Sequence, residues 1–209
     1  MTTYGYATLD EFKAWTDIKG LEKTAMATNA ILATSRAIDL YCKRHFWPDG
    51  TVGTPVARTF EACDTHRVDF GVFNDLSAAV VPVVKTDKAG DGTFETTWTA
   101  TDYQLLPYNR LPGRPYTRIE AIASLRFPVH TGTGRRDRVQ ITGVWGWDAI
   151  PDDVHQACLI KAHRIYTRHQ SPNGVAGIGD FGPVRISRFE DPDVVSLLDP
   201  YRPTTSFVA

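Results

Sequence analysis

The spacing of hydrophobic positions changes character twice along the 209-residue chain. Thr8-Leu9-Asp10-Glu11 reads as a capping box, in which the Thr8 hydroxyl and the Glu11 carboxylate each satisfy a backbone N–H that a helix start leaves without a partner. A short helix is predicted over 8–18, ended by Gly20. Ala25, Ile31, Ser35, Ile38 and Cys42 then recur at helical spacing, and no Pro or Gly interrupts 21–47. That range is predicted to be one long helix, stopped by Pro48-Asp49-Gly50.

Beyond Gly50 the chain breaks into short Thr-, Val- and aromatic-rich runs separated by turn residues, so a β-rich portion is expected over 51–148. The better strand candidates are 57–61, 79–85 and 94–98, joined by Asp-Gly and Ala-Gly turns. A closing strand is expected within 138–147. Pro82 demotes its run to an edge strand or a bulge, because proline cannot donate to a ladder.

Pro151-Asp152-Asp153 opens the next helix, with proline at the first helical position and carboxylates at the positive end of the dipole. Val154, Cys158, Ala162, Ile165 and Tyr166 make its apolar stripe, which predicts helix over 151–169. Ser171-Pro172-Asn173-Gly174 breaks it. From Gly174 to Pro183 four glycines fall within nine residues, which predicts a flexible arm without regular structure and without an evident partner in its own chain. Val184 to Arg188 alternates like a strand. Asp191-Pro192-Asp193 opens a last helix over 191–199, ended by Pro200, and a polar tail follows over 200–209. The pattern is α+β: a helical part over 1–47 and 149–200, a β-rich insertion over 48–148 and a Gly-rich arm over 171–188, expected to make one structural unit over 1–209.

Composition adds exclusions. A hydrophobic share of 42% and a charged share of 22% are those of a globular protein, and no apolar run approaches the ~18 residues of a spanning helix. With no basic region followed by an apolar stretch at the N-terminus, synthesis in a cytoplasm and a soluble protein are expected. Net charge −1 argues against a general polyanion binder. Cys42, Cys63 and Cys158 have neither paired spacing nor nearby ligands, and the six histidines lack i, i+4 pairing, so no metal or cofactor is expected.

Motifs that suggest catalysis fail in context. Gly177-Ile178-Gly179-Asp180-Phe181-Gly182 fits a dinucleotide fingerprint, but it follows a helix and leads into an extended run, the reverse of what pyrophosphate binding requires. Asp180-Phe181-Gly182 lacks the other parts of a kinase. Asp152-Asp153 is explained by its helix start, and no nucleophile, base and orienting group can be assembled. An enzyme is not expected.

The charge distribution says more than its total. From Phe60 to Asp102 the balance is −5, carried by Glu61, Asp64, Asp69, Asp75, Asp87, Asp91, Glu95 and Asp102; from Arg110 to Arg138 it is +5, carried by seven arginines. Complementary faces of this kind suit head-to-tail self-association, which closes into rings when the rotation allows. Arg135 and Arg136, beside Gly132 and Gly134, belong on a loop tip, where a phosphate and a partner carboxylate are both open as ligands.

Three segments together resemble the head-to-tail adaptor, or connector, proteins of long-tailed bacteriophages. They are Tyr6 to Phe12, Ala33 to Cys42 and, above all, 139–202, including Val144-Trp145-Gly146-Trp147-Asp148-Ala149-Ile150-Pro151-Asp152-Asp153-Val154 and Arg168-His169-Gln170-Ser171-Pro172-Asn173-Gly174. The resemblance implies a small helical bundle carrying a β-rich insertion and a structural role without catalysis. It implies a virion location in the neck, at the head–tail junction, and a dodecameric ring under the portal protein. That ring extends the tunnel through which packaged double-stranded DNA leaves and meets stopper or tail-completion proteins. By that likeness the arm docks the portal, with Gly174, Gly177 and Gly179 as its pliant positions, Phe181, Val184 and Ile186 as apolar anchors and Arg185 and Arg188 as charge partners. Arg135, Arg136 and Arg138 become candidates for a subunit interface or the DNA tunnel. The free protein is expected to be a monomer that assembles on the portal. The alternatives are a nucleic-acid-binding module using the Arg-rich 110–138 span, and a stopper or tail-completion protein.

Overall fold

In the computed structural model, which describes residues 5–16, 23–47, 54–122, 124–132, 134–168, 175–176, 184–185 and 191–203, the capping box forms as read. Glu11 Oε2 accepts from the Thr8 N–H at 2.7 Å, while Thr8 Oγ1 accepts from the Glu11 N–H at 3.3 Å. It starts helix α1 (Leu9–Thr16), whose Phe12 is buried. Helix α2 (Thr24–Cys42) is shorter than the predicted 21–47. Lys43 ends it in a left-handed conformation, φ 51°, five residues before the proline that was expected to do so. Helix α3 (Asp152–Thr167) begins with Pro151 at the N-cap rather than the first helical position, at φ −63° and ψ 145°. Helix α4 (Pro192–Leu198) is capped by the Asp191 carboxylate, which accepts from the Asp193 N–H. Pro200 continues the chain in a 3-10 turn (Asp199–Tyr201) instead of stopping it.

The chain forms two compact units, one of residues Met1–Lys43 with Ile150–Ala209, the other of Arg44–Ala149. In the first, α2 and α3 pack through small side chains, Ala27, Ala30, Thr34 and Ser35 on one helix and Ala157, Cys158 and Ala162 on the other, all buried. Ser35 Oγ donates to the Ile31 carbonyl at 2.8 Å, accepts from the Tyr6 N–H at 2.9 Å and lies 3.6 Å from Cys158 Sγ. Burial pushes the Cys158 thiol up to about 11, so it packs as a neutral group. Ser35→Ala strands a buried N–H and is expected to cost about 1–3 kcal/mol, read as a lower urea midpoint of the helical signal. Phe12 meets the Tyr166 ring edge-on at 5.8 Å, and Tyr201 donates to Asp153 at 3.0 Å.

The second unit holds two antiparallel sheets. Strands β1 (Val56–Phe60), β3 (Val83–Thr86), β4 (Thr96–Trp98) and β7 (Val139–Gly143) form one in the order β1-β7-β3-β4; β2 (Arg67–Asp69), β5 (Tyr103–Leu106) and β6 (Arg118–Ala121) form the other in the order β2-β6-β5. The second sheet was not foreseen. Strand β3 is interior, contrary to the edge position that was one of the two readings of Pro82. The proline sits just outside the ladder, so its missing N–H costs nothing there, and its carbonyl accepts from Tyr103 Oη at 2.6 Å. Both sheets contribute to one core, including Val84, Ile141 and Trp98 from the first and Val68, Ile119 and Tyr103 from the second. Trp98 stacks on Phe127 at 4.5 Å and 9°. Among the described residues no helix is long and apolar enough to cross a membrane.

Candidate interaction surfaces

Two Gly-rich turns interlock at one end of the four-stranded sheet. Asp87, fully buried at the end of β3, accepts from the N–H groups of Gly90 and, at 2.7 Å, Gly92. Burial works to raise its pKa. The N–H groups of Gly92, Gly90 and Asp91, with the charge of Arg138, outweigh that and hold the carboxyl below its ordinary value. The Arg138 side chain lies so close over Gly90, at φ +78°, that a Cβ there would come within 2.5 Å of it. A side chain there would be strained by that φ and would have to push the Arg138 guanidinium aside. Arg138 Nε donates to the Arg135 carbonyl at 2.7 Å, and the Arg135 N–H donates to the Gly90 carbonyl at 3.2 Å.

This arrangement sorts the three arginines singled out from the sequence. All three sit on one loop, but Arg138 turns inward and is only 8% exposed. Arg135 is half-exposed and pairs with its neighbour Asp137, Nε to Oδ1 at 3.0 Å. That bond from Arg135, with one from Thr59, holds the Asp137 carboxyl down at about 2. Arg136 is the most exposed of the three and stands 3.5 Å from Glu61.

The acidic span is likewise smaller at the surface than in the sequence, because Asp75 and Asp87 are both buried. In the basic span, Arg110 lies over the Tyr116 ring at 4.7 Å and donates to the Arg114 carbonyl at 2.6 Å, and Arg118 stands opposite Asp69 in the β2–β6 ladder. Charges that looked complementary along the chain are in part engaged within the unit.

One projecting feature escaped the sequence reading. Between β5 and β6 the loop 107–115 carries Tyr108 at 61% and Leu111 at 64% exposure. Its base is closed by the Thr117 N–H on the Leu106 carbonyl at 2.9 Å and its turn by the Arg114 N–H on the Leu111 carbonyl at 3.1 Å. Pro107 and Pro112-Gly113, bracketing a tyrosine and a leucine, were the signal available. Ala79, Val80 and Val81 form a second exposed apolar run, where a strand had been expected.

In the arm, β8 (Val175–Ala176) pairs antiparallel with β9 (Val184–Arg185), in the register Val175 to Arg185 and Ala176 to Val184. The pairing is internal to the arm: β9 lies in the run that alternates like a strand, and β8 in the stretch whose glycine content predicted no regular structure. Of the docking candidates, Val184 and Arg185 lie on β9, while Gly174, Gly177, Gly179, Phe181, Ile186 and Arg188 fall outside the described residues. Among the described residues no three His, Cys, Asp or Glu side chains gather as a metal site would require.

No protein-family model and no curated protein sequence matches the chain. Solved structures do. The chain is similar to one in the neck of an empty gene transfer agent particle computed with C6 symmetry, at 21% identity and a TM-score of 0.56, covering 100% of this chain and 96% of that one. It is also similar to a chain of the virion of the native gene transfer agent particle, at 20% identity and a TM-score of 0.50, covering 96% and 91%. At this identity the likeness shows the fold alone.

Proposed function

We propose that this chain is a structural neck protein of a phage or phage-like particle, a head-to-tail adaptor without catalytic activity that sits at the head–tail junction. The observation that carries the reading is the match, over 100% of this chain and 96% of the other, to a component of a particle neck. The adaptor forms a ring below the portal, extends the DNA tunnel and presents a surface to stopper or tail-completion proteins. The C6 symmetry of the matched neck supports a ring whose copy number contains six, and a dodecamer satisfies it. The C-terminal arm docks the portal. Its two-residue strands make a hairpin too short to be stable by itself, which suits a segment secured by a partner.

The nucleic-acid-binding reading loses ground on the arginines. Arg110 is occupied with Tyr116 and Arg114, Arg135 with Asp137, and Arg138 is inside, so at least three of the seven guanidinium groups in the 110–138 span are already engaged within the unit. A stopper or tail-completion protein remains the near alternative.

The test is deletion of the reading frame from the genome that encodes it, with electron microscopy of the lysate. Filled heads and free tails that fail to join are expected, with joining restored by the gene supplied in trans. Normally joined particles would overturn the proposal. A protein that co-purifies with isolated tails but not with isolated heads would move the assignment to the tail-completion alternative.

A further inference from the structure

The two ends of the β-rich unit converge on one buried carboxylate. Arg44, the first residue of the unit, pairs with Asp75 Oδ1, and Trp147, near its last residue, donates its indole N–H to Asp75 Oδ2 at 2.9 Å. The Asp75 carbonyl accepts from the Gly146 N–H at 2.7 Å, and the Phe46 ring lies 5.1 Å from that of Trp147. The following two residues extend the same stitch. Leu76 exchanges backbone bonds with Tyr116 at 2.9 and 2.8 Å and bridges to Trp145, while Ser77 donates its N–H to the Val144 carbonyl at 2.9 Å and its hydroxyl to Asp148. Three consecutive residues in the middle of the unit thus hold its entry, its exit and the strand-like run at Tyr116.

We infer that residues 44–149 are a self-latched module, closed by Asp75 across its own two ends, that unfolds and refolds independently of the helical unit. An insertion whose ends meet inside its own structure closes its chain without help from the host, and closing about a hundred residues costs only a logarithmic entropy term. A buried carboxylate that accepts from a guanidinium at one end of the unit and an indole at the other ties the two ends together, and its removal takes from both donors an acceptor held inside the unit. The inference does not depend on the adaptor reading.

The molecule carries separate reporters for the two units. Four of its five tryptophans, Trp47, Trp98, Trp145 and Trp147, lie in the β-rich unit, and α1 to α4 all lie in the other. In the full chain carrying Trp15→Phe, urea unfolding is followed by tryptophan fluorescence and by circular dichroism at 222 nm. Asp75→Ala is expected to lower the fluorescence midpoint by about 1 M or more and to leave the helical midpoint in place. Ser35→Ala is expected to do the reverse. If Asp75→Ala prevents the β-rich unit from folding, the fluorescence is that of unfolded chain already in buffer while the helical signal persists. Midpoints that move together in both variants, or helical signal lost along with the fluorescence in Asp75→Ala, would overturn the inference.

Discussion

Trp145→Ala is expected to remove about 3–5 kcal/mol from the β-rich unit, enough to leave it largely unfolded if its stability is in the ordinary range of about 5–15 kcal/mol. The indole is 1% exposed and belongs to the core to which both sheets contribute. Phe60 stands 5.4 Å from it and Phe70 5.6 Å, the Arg58 guanidinium lies over its face at 4.8 Å, and its N–H donates to the Val56 carbonyl at 2.8 Å. Alanine removes all of these contacts and leaves a cavity that the two phenylalanine rings cannot close without leaving their rotamers. Phenylalanine restores the packing but not the bond to Val56, so Trp145→Phe should cost about 1–3 kcal/mol. Urea unfolding, read through the other tryptophans, separates these two contributions.

Asp87→Ala is expected to cost the same unit about 3–5 kcal/mol, by a different mechanism. The substitution takes the carboxylate from beside the buried Arg138 and leaves the N–H groups of Gly90 and Gly92 without their acceptor. The native carboxylate also writes a pH dependence. Because its folded pKa lies below the ordinary 3.8, its stabilisation is complete above that value and is lost as pH falls through the depressed one. Asp137, held at about 2, acts in the same direction over about pH 4 to 2. The urea midpoint of the wild-type β-rich unit should therefore fall steeply below about pH 4, and Asp87→Ala should flatten that fall. An equally steep fall in the variant would show that Asp87 is not its source. In the helical unit Glu11 follows the same sign. The N–H and then the hydroxyl of Thr8, with His155 Nε2 at 3.3 Å, hold its carboxyl at about 2.

The candidate surfaces were only half legible. Arg135 and Arg136 were expected on a loop tip beside Gly132 and Gly134, and Arg138 at the start of the closing strand; all three lie on the loop that precedes β7. Which way each points was not legible: Arg138 turns inward because Asp87 lies across from it, 51 positions away in the chain. Tyr108 and Leu111 were not singled out from the sequence; the closed β5–β6 loop leaves both exposed. Asp75 was counted as surface charge. Its burial depends on Arg44 and Trp147, one from each end of the unit.

What the sequence by itself determined is what nearest neighbours decide: the capping box at Thr8 and Glu11, the apolar stripes of α2 and α3, the Asp191 cap of α4, and the change from helical to β period between them. A 3.6-residue or two-residue period, or a cap three residues from its partner, is written within one turn of chain, and so is the α+β class. Only the tertiary structure decided where α2 stops, which strands share a sheet, and which charges are buried. Lys43 ends α2 although nothing helix-breaking stands there, because Arg44, Phe46 and Trp47 belong to the other unit. Strands β2, β5 and β6 are three or four residues long, too short for a period to register, and acquire their conformation from ladders with partners 12 to 53 positions away. Those bonds form only once the chain has been brought together by burial of its apolar core. The physics that chose them lies in contacts between segments and not in any one of them.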